Sequence, residues 1–176
     1  MMKTVFKFFL YLLLFIIAFF VFLPKELLYN QIEKAIEQNK IVVSNEIRDE
    51  KLFGLDIKNA DIYFNGINMA NVNKISFTSY LFYTNIDITD IRLLDSLKNM
   101  VPTPINKLKV EHSVLNLDKL SISSTGLFGS AKGFVDLKKR EVQLEIDASS
   151  KMKSSYSQIL RTMKLKDGKY IYDYKF

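Results

Sequence analysis

The sequence predicts a mainly β protein. An N-terminal transmembrane helix and a short amphipathic helix precede an elongated, curled antiparallel β-sheet, with one short helix near the C-terminus. Three observations carry this reading. The first two dozen residues are almost wholly apolar. From Ile41 onward, apolar and polar residues alternate with period 2 in one segment after another, separated by clusters of Asn, Asp, Gly and Ser. Two short stretches break that rhythm with a period near 3.6, one directly after the apolar run and one near the C-terminus.

The elements follow in order. Residues 1–24 read as a cytoplasmic tip and a membrane anchor, whose apolar surface is typified by Phe8, Leu12, Phe15, Phe19 and Leu23. With Lys7 snorkelling, such a helix reaches the ~30 Å hydrocarbon thickness. A cleaved signal peptide needs a small-x-small site after the apolar run. Here the run ends in Phe22-Leu23-Pro24-Lys25-Glu26, which lacks one. Lys3 and Lys7 lie on the short side, so the positive-inside rule keeps the N-terminus in the cytoplasm and the remainder in a bacterial periplasm. Residues 25–40 form the juxtamembrane amphipathic helix, with Leu28, Ile32, Ala35 and Ile36 expected on its covered face.

Residues 41–176 then make up the periplasmic β domain. Its alternating segments are "IVVSNEI", "LDIKNADIYF", "NKISFTSYLFY", "NIDITDIRLL", "NKLKVEHSVLNLDKLSIS", "GFVDL", "EVQLEID" and "KYIYDYKF", or eight or so strands. Ile75, Phe77, Ser79, Leu81 and Tyr83 are expected on one face of a strand, and Val142, Leu144 and Ile146 on one face of another. "DITDIRLLDSLKNMVP" has a second, helical reading of a turn or two before Pro102, and "SSYSQILRTMK" groups Tyr156, Ile159, Leu160 and Met163 on one helical face with a serine as N-cap. "TGLFGSAKGFVDLKKREVQLEID" reads as a hairpin whose glycines supply tight bends, and "DLKKRE" as its solvated turn. Asp167-Gly168 signals a last turn, after which Tyr170, Tyr172, Tyr174 and Phe176 share a face. These aromatics are expected to pack on the core, and are also the candidate partner-binding strand.

Composition removes most chemistry. Of 176 residues none is Cys and one is His, which excludes disulfide frameworks, thiolate metal sites and His-based clusters. His112 on a predicted strand has none of the company that a general base needs. Gly126, Gly129 and Gly133 do not lie between a strand and a helix as in a phosphate loop. No catalytic, cofactor-binding or metal-binding residue is assigned, and the protein is read as a non-enzyme. The net charge of +6 falls to +4 without Lys3 and Lys7, 23 basic against 19 acidic residues. Glu46 to Asp95 carries eight acidic and five basic residues, and Lys138 to the end ten basic and five acidic. A nucleic-acid partner rests on that basic end alone and ranks last.

Taken together, the anchor ending in Leu-Pro, "ELLYNQIEKAI", "LFGLDIKNADIYFNGINMANVNKISFTSYLF", the glycine hairpin and "LKDGKYIYDYKF" resemble protein N of bacterial type II secretion systems, and more loosely the AsmA-like families. The resemblance implies a single-pass inner-membrane protein with a curled periplasmic sheet. Its expected role is a non-enzymatic scaffold in an envelope-spanning machine of type II secretion or pilus-like kind, serving protein secretion or DNA uptake. Its partners would be the inner membrane and other subunits of that machine. The alternative is a lipid or lipopolysaccharide carrier resembling the anchored lipopolysaccharide-export protein C. A carrier requires an apolar face that stays open, whereas a scaffold fills its interior with its own side chains. The 14 Phe and 9 Tyr lead one to expect a filled interior.

Overall fold

A computed structural model of the protein describes residues 2–22, 24–80, 82–94, 97 and 101–176, with the side chains of residues 2, 3, 20 and 28 outside the description. Helix α1 (Met2–Phe22) is followed by α2 (Lys25–Glu37). The strands are β1 (Ile41–Ser44), β2 (Ile47–Lys51), β3 (Gly54–Phe64), β4 (Ile67–Tyr80), β5 (Tyr83–Leu93), β6 (Ile105–Ser113), β7 (Lys119–Gly126), β8 (Gly129–Asp136) and β9 (Glu141–Ala148). Two short helices, α3 (Ser150–Ser155) and α4 (Ser157–Leu160), lead into β10 (Lys164–Lys166) and β11 (Lys169–Lys175). All strands join one antiparallel sheet in the order β1-β3-β4-β5-β6-β7-β8-β9-β11-β10, with β2 also on β3. The mainly β expectation is met by an 11-stranded sheet. The eight alternating segments undercount it because "IVVSNEI" holds β1 and the start of β2, the long Asn106 segment holds β6 and β7, and β10 is only three residues.

Among the described residues no helix is long and apolar enough to cross a membrane. The side chains described without a break, Thr4 to Phe19, stop short of the 21-residue backbone of α1. Within that stretch Phe8, Leu12, Phe15 and Phe19 are 62, 42, 67 and 54 % exposed. Leu23 lies outside the described residues.

Several local expectations change. On α2 the docked side is Tyr29, Asn30, Glu33 and Ile36, whereas Ile32 and Ala35 face outward. The reason is Arg48 of β2, which donates to Asn30 Oδ1 (2.7 Å) and Glu33 Oε2 (3.1 Å) and lies 4.5 Å from the centre of the Tyr29 ring. A polar clamp thus outweighs the apolar stripe. "DITDIRLL" is strand β5 through Leu93, not helix, because it is paired on both sides by β4 and β6; Asp95, Ser96 and residues 98–100 lie outside the described residues. Tyr83 is not on the face of Ile75 and Phe77. The hairpin closes at Tyr80, and Tyr83 pairs with it on the opposite side of the sheet, where its hydroxyl donates to Glu111. Leu81 lies outside the described residues.

A seam of skipped positions crosses four strands, while the register shifts fall at Ile62/Tyr63 and Ile105/Lys107. Asn59, Asn73, Asp90 and Asn106, one in each of β3 to β6, are skipped by the ladder pairs around them, and Asn59 and Asp90 adopt positive φ (57° and 53°). Asn and Asp tolerate this region at low cost. Each inserted residue flips the alternation: Leu55 and Ile57 face the same side as Ala60 and Ile62, and Ile86 and Ile88 the same side as Ile91 and Leu93. The covered part of the apolar face straddles the seam. One cluster holds Leu55, Ile57, Ala60, Ala70, Val72 and Ile91, with Tyr29 of α2 against it. A second holds Phe128, Ala131, Ile146, Ala148, Met152 and Leu160, with Tyr156, Ile159 and Met163 joining from the helical segment as the sequence predicts. The single helix expected there is two, broken at Tyr156, and its capping serine is not in that segment: Ser149 caps α3 by accepting from Met152 N at 3.1 Å, while α4 has no side-chain cap.

Candidate functional site

Register places the apolar residues of the eight central strands in rows. The row Ile57, Ile75, Ile88, Leu108, Ser124, Ala131, Ile146, Tyr170 runs across β3, β4, β5, β6, β7, β8, β9 and β11, and its apolar members other than Ser124 belong to or pack on the two clusters. The next row is Leu55, Phe77, Ile86, Val110, Ile122, Gly133, Leu144 and Tyr172. Leu55 is buried, but Phe77, Ile86, Val110, Ile122, Leu144 and Tyr172 are half-buried and belong to neither cluster. A third row, Ser79, Thr84, His112, Leu120, Val135, Val142 and Tyr174, is half-buried except for exposed Tyr174.

The result is an uncovered apolar strip across the sheet. At about 4.8 Å between neighbouring strands, the seven strands that carry it, β4 to β9 and β11, make it roughly 29 Å long. Among the described residues α2 packs chiefly on β1 and β3 and α3 on β9, and the half-buried side chains of the strip join neither core cluster. The interior is therefore not filled in the way that the aromatic content leads one to expect: seven of the 14 Phe lie within the first 22 residues, in the segment of α1.

The candidate partner-binding strand ends on this strip. Tyr170 packs on the second cluster, Tyr172 is half-buried, and Tyr174 and Phe176 are 52 and 56 % exposed. The Tyr172 and Tyr174 rings stack at 6.4 Å. Only part of the aromatic set is thus internal. His112 sits in the third row, its Nε2 3.1 Å from the Leu117 carbonyl, bonded within its own hairpin. "DLKKRE" is the β8–β9 turn, tied by Lys139 N to Asp136 Oδ1 (2.8 Å), with Leu137 to Arg140 exposed.

The opposite face is polar. Its most constrained group is Asp56, 4 % exposed, which accepts from Ser76 Oγ (2.6 Å), from Lys74 Nζ (3.0 Å) and from Lys51. Burial pushes this carboxyl up, but the three hydrogen bonds prevail and hold it well below the usual carboxylate range. Its stabilising contribution is complete above the unfolded pKa of about 4 and is lost as pH falls through the lower folded value. Asp56→Asn is therefore expected to lower stability at neutral pH by roughly 1.5–3 kcal/mol, the range for hydrogen bonds to charged groups. Thermal unfolding against pH checks this: the two proteins should converge at strongly acid pH, and a pH-independent difference would refute the ion-pair account. Farther along this face a trough of about 810 Å³ is lined by Lys132, Lys164, Lys166 and Lys169, balanced by Glu145, Asp167 and Asp173. Lys169 is paired with Glu145. No group of three or more metal-ligating side chains occurs among the described residues.

Of the residues singled out from sequence, the aromatic strand, Phe77, Ser79, His112, Val142 and Leu144 fall at this site; the rest of the strip comes from strands whose alternation is plain but whose alignment with one another is not. Comparison with protein-family models, curated proteins and solved structures finds no match for this chain.

Proposed function

We propose that the protein is a non-enzymatic, membrane-anchored envelope protein that holds lipid acyl chains on the open strip. The observation that carries this is the second row, six half-buried apolar side chains that join neither core cluster. Contiguous apolar surface of this kind is costly to leave in water and marks a binding surface. The anchor reading rests on the apolar sequence of residues 1–24, of which the described part alone does not make a membrane-crossing helix. From Phe8 to Phe19 its described side chains are apolar apart from the Tyr11 hydroxyl and mostly exposed, as suits lipid better than water. On this reading the N-terminus is cytoplasmic and the sheet periplasmic, in keeping with the AsmA-like resemblance.

The test is photocrosslinking of the full chain in vesicles that contain a phospholipid with a diazirine in its acyl chain. Crosslinks on β6, β7 and β9 peptides are expected, and Ile122→Asp, which puts a charge in the middle of the strip, should reduce them at least tenfold while leaving crosslinks to α1 intact. Crosslinks confined to α1 would refute the lipid reading. The scaffold reading, a subunit of a secretion or pilus-like machine, keeps one favourable observation, the exposed Tyr174 and Phe176 at the end of the last strand. It would gain from crosslinks between that strand and another envelope protein.

A further inference from the structure

The connections between strands divide into two ends of the sheet. At one end lie the β2–β3, β4–β5, β6–β7 and β8–β9 turns and the terminus of β11. At the same end α2 begins, because Lys25 N donates to Glu50 Oε1 at 3.0 Å and Glu50 stands one pair from the β2–β3 turn. The helix runs away from there, so that Lys40 O reaches Asn65 N at the opposite end. The junction with α1 is thus beside the first set of turns, and Lys25 Nζ donates back to Val21 O of α1 at 2.6 Å.

Every connection at this end exposes a large apolar residue: Leu52 (59 %), Phe82 (65 %), Leu115 (93 %), Leu117 (63 %), Leu137 (48 %) and, at the end of β11, Phe176 (56 %). Water-facing turns normally carry polar residues. Here the β6–β7 turn is "VLNL", and its leucines have no partner in the two clusters. The β8–β9 turn sets exposed Lys138, Lys139 and Arg140 directly after Leu137. Apolar tips with adjoining cations match the bilayer interface, where hydrocarbon lies next to anionic headgroups.

We infer that this end of the sheet is a membrane-docking rim that dips its turn residues into the outer leaflet of the membrane holding α1. The inference rests on the anchor reading above and deepens it. The open strip's second and third rows are those nearest this rim. Docking therefore seats the uncovered apolar face against the bilayer surface, and an acyl chain passes from leaflet to strip without crossing water. The opposite end, where α3 and α4 cover the sheet, points away from the membrane. That end exposes apolar residues too, Phe64 and Ile67 flanking its β3–β4 turn, Leu127 in its β7–β8 turn and Leu165 in β10, but it lies across the sheet from the junction with α1 and lacks the row of cations that follows Leu137.

The test uses the absence of tryptophan from the chain. Full-length Leu115→Trp, reconstituted in vesicles of phosphatidylethanolamine and phosphatidylglycerol, carries a single indole at the rim. Ile67→Trp carries one at the other end of the 14-residue strand β4, roughly 45 Å away at about 3.3 Å per residue. Lipids brominated near the headgroup end of the acyl chain are expected to quench the rim indole of Leu115→Trp by at least half and to leave the distal indole of Ile67→Trp unchanged. Leu137→Trp repeats the measurement on a second turn if Leu115→Trp misfolds. Vesicle flotation with an unquenched rim indole overturns the docking alone, as does equal quenching of both positions, which means that the sheet lies flat. Failure to float with vesicles overturns the anchor reading and the docking with it.

Discussion

Deleting residues 170–176 is expected to unfold the C-terminal part of the sheet and to remove the protein from cells. Strand β11 pairs with β9 over six residue pairs from Tyr170 to Lys175 and, among the described residues, is the one strand paired with β10. Its loss strips the outer side of β9 and leaves β10 without a ladder. Tyr170 also leaves the second cluster, where it packs with Ile146 and Met152. Truncating one buried aromatic costs about 3–5 kcal/mol, and the lost ladder adds to that, against a total stability of about 5–15 kcal/mol for a domain. Abundance of the truncated protein and its thermal transition check this. A truncated protein at wild-type abundance with an unchanged transition would show that the strand serves partners and not the fold. The strand's two ends should separate in a second comparison. Tyr174→Ala with Phe176→Ala, both over half exposed, should cost little stability, whereas Tyr170→Ala should cost more than that pair and less than the deletion, since it leaves the ladder in place.

Gly129→Ala and Gly133→Ala are each expected to destabilise by several kcal/mol. Gly129 has φ of +114°, and a Cβ there would run into the Asp147 carbonyl oxygen. At Gly133 the added carbon would run into the carbonyl oxygen of Gln143. In both cases the obstacle is backbone of the adjoining strand β9, fixed by its own ladder, so no flexible side chain can give way. Overpacking alone costs about 1–3 kcal/mol, and backbone strain at Gly129 adds about 1–3. Denaturant unfolding measures the effect. Gly168→Ala is the comparison: φ is +79° but a Cβ meets nothing within 4 Å, so only the strain applies. Equal losses at all three positions would refute close strand approach as the cause. The glycine hairpin thus holds β8 tight against β9 where the apolar strip crosses them, a role in shape and not in chemistry.

Part of the site was legible in the sequence, and the rest had no local signal. The alternation of Val142, Leu144 and Ile146, and of Tyr170, Tyr172 and Tyr174, gives the apolar face of two strands directly, since side chains in a strand alternate without reference to partners. Asp167-Gly168 likewise marks its own turn, both residues having positive φ. The docked face of α2 departs from its apolar stripe because one distant arginine, Arg48, decides it. Tyr83 departs from the expected face because period 2 runs unbroken through a tight hairpin, while the chain itself turns over there.

Local periodicity and composition were enough for the order of elements, the mainly β character, the apolar N-terminal helix and the lack of any cysteine- or histidine-based centre. Which rows stay uncovered was settled only by strand pairing. Asn59, Asn73, Asp90 and Asn106 lie 14 to 17 positions apart, and only pairing brings them into one seam that swaps faces in four strands together. The same pairing gathers Leu52, Phe82, Leu115, Leu137 and Phe176 onto one end beside the root of α1. The physical reason is that burial depends on what lies opposite a side chain, and in an antiparallel meander register, not spacing along the chain, sets that.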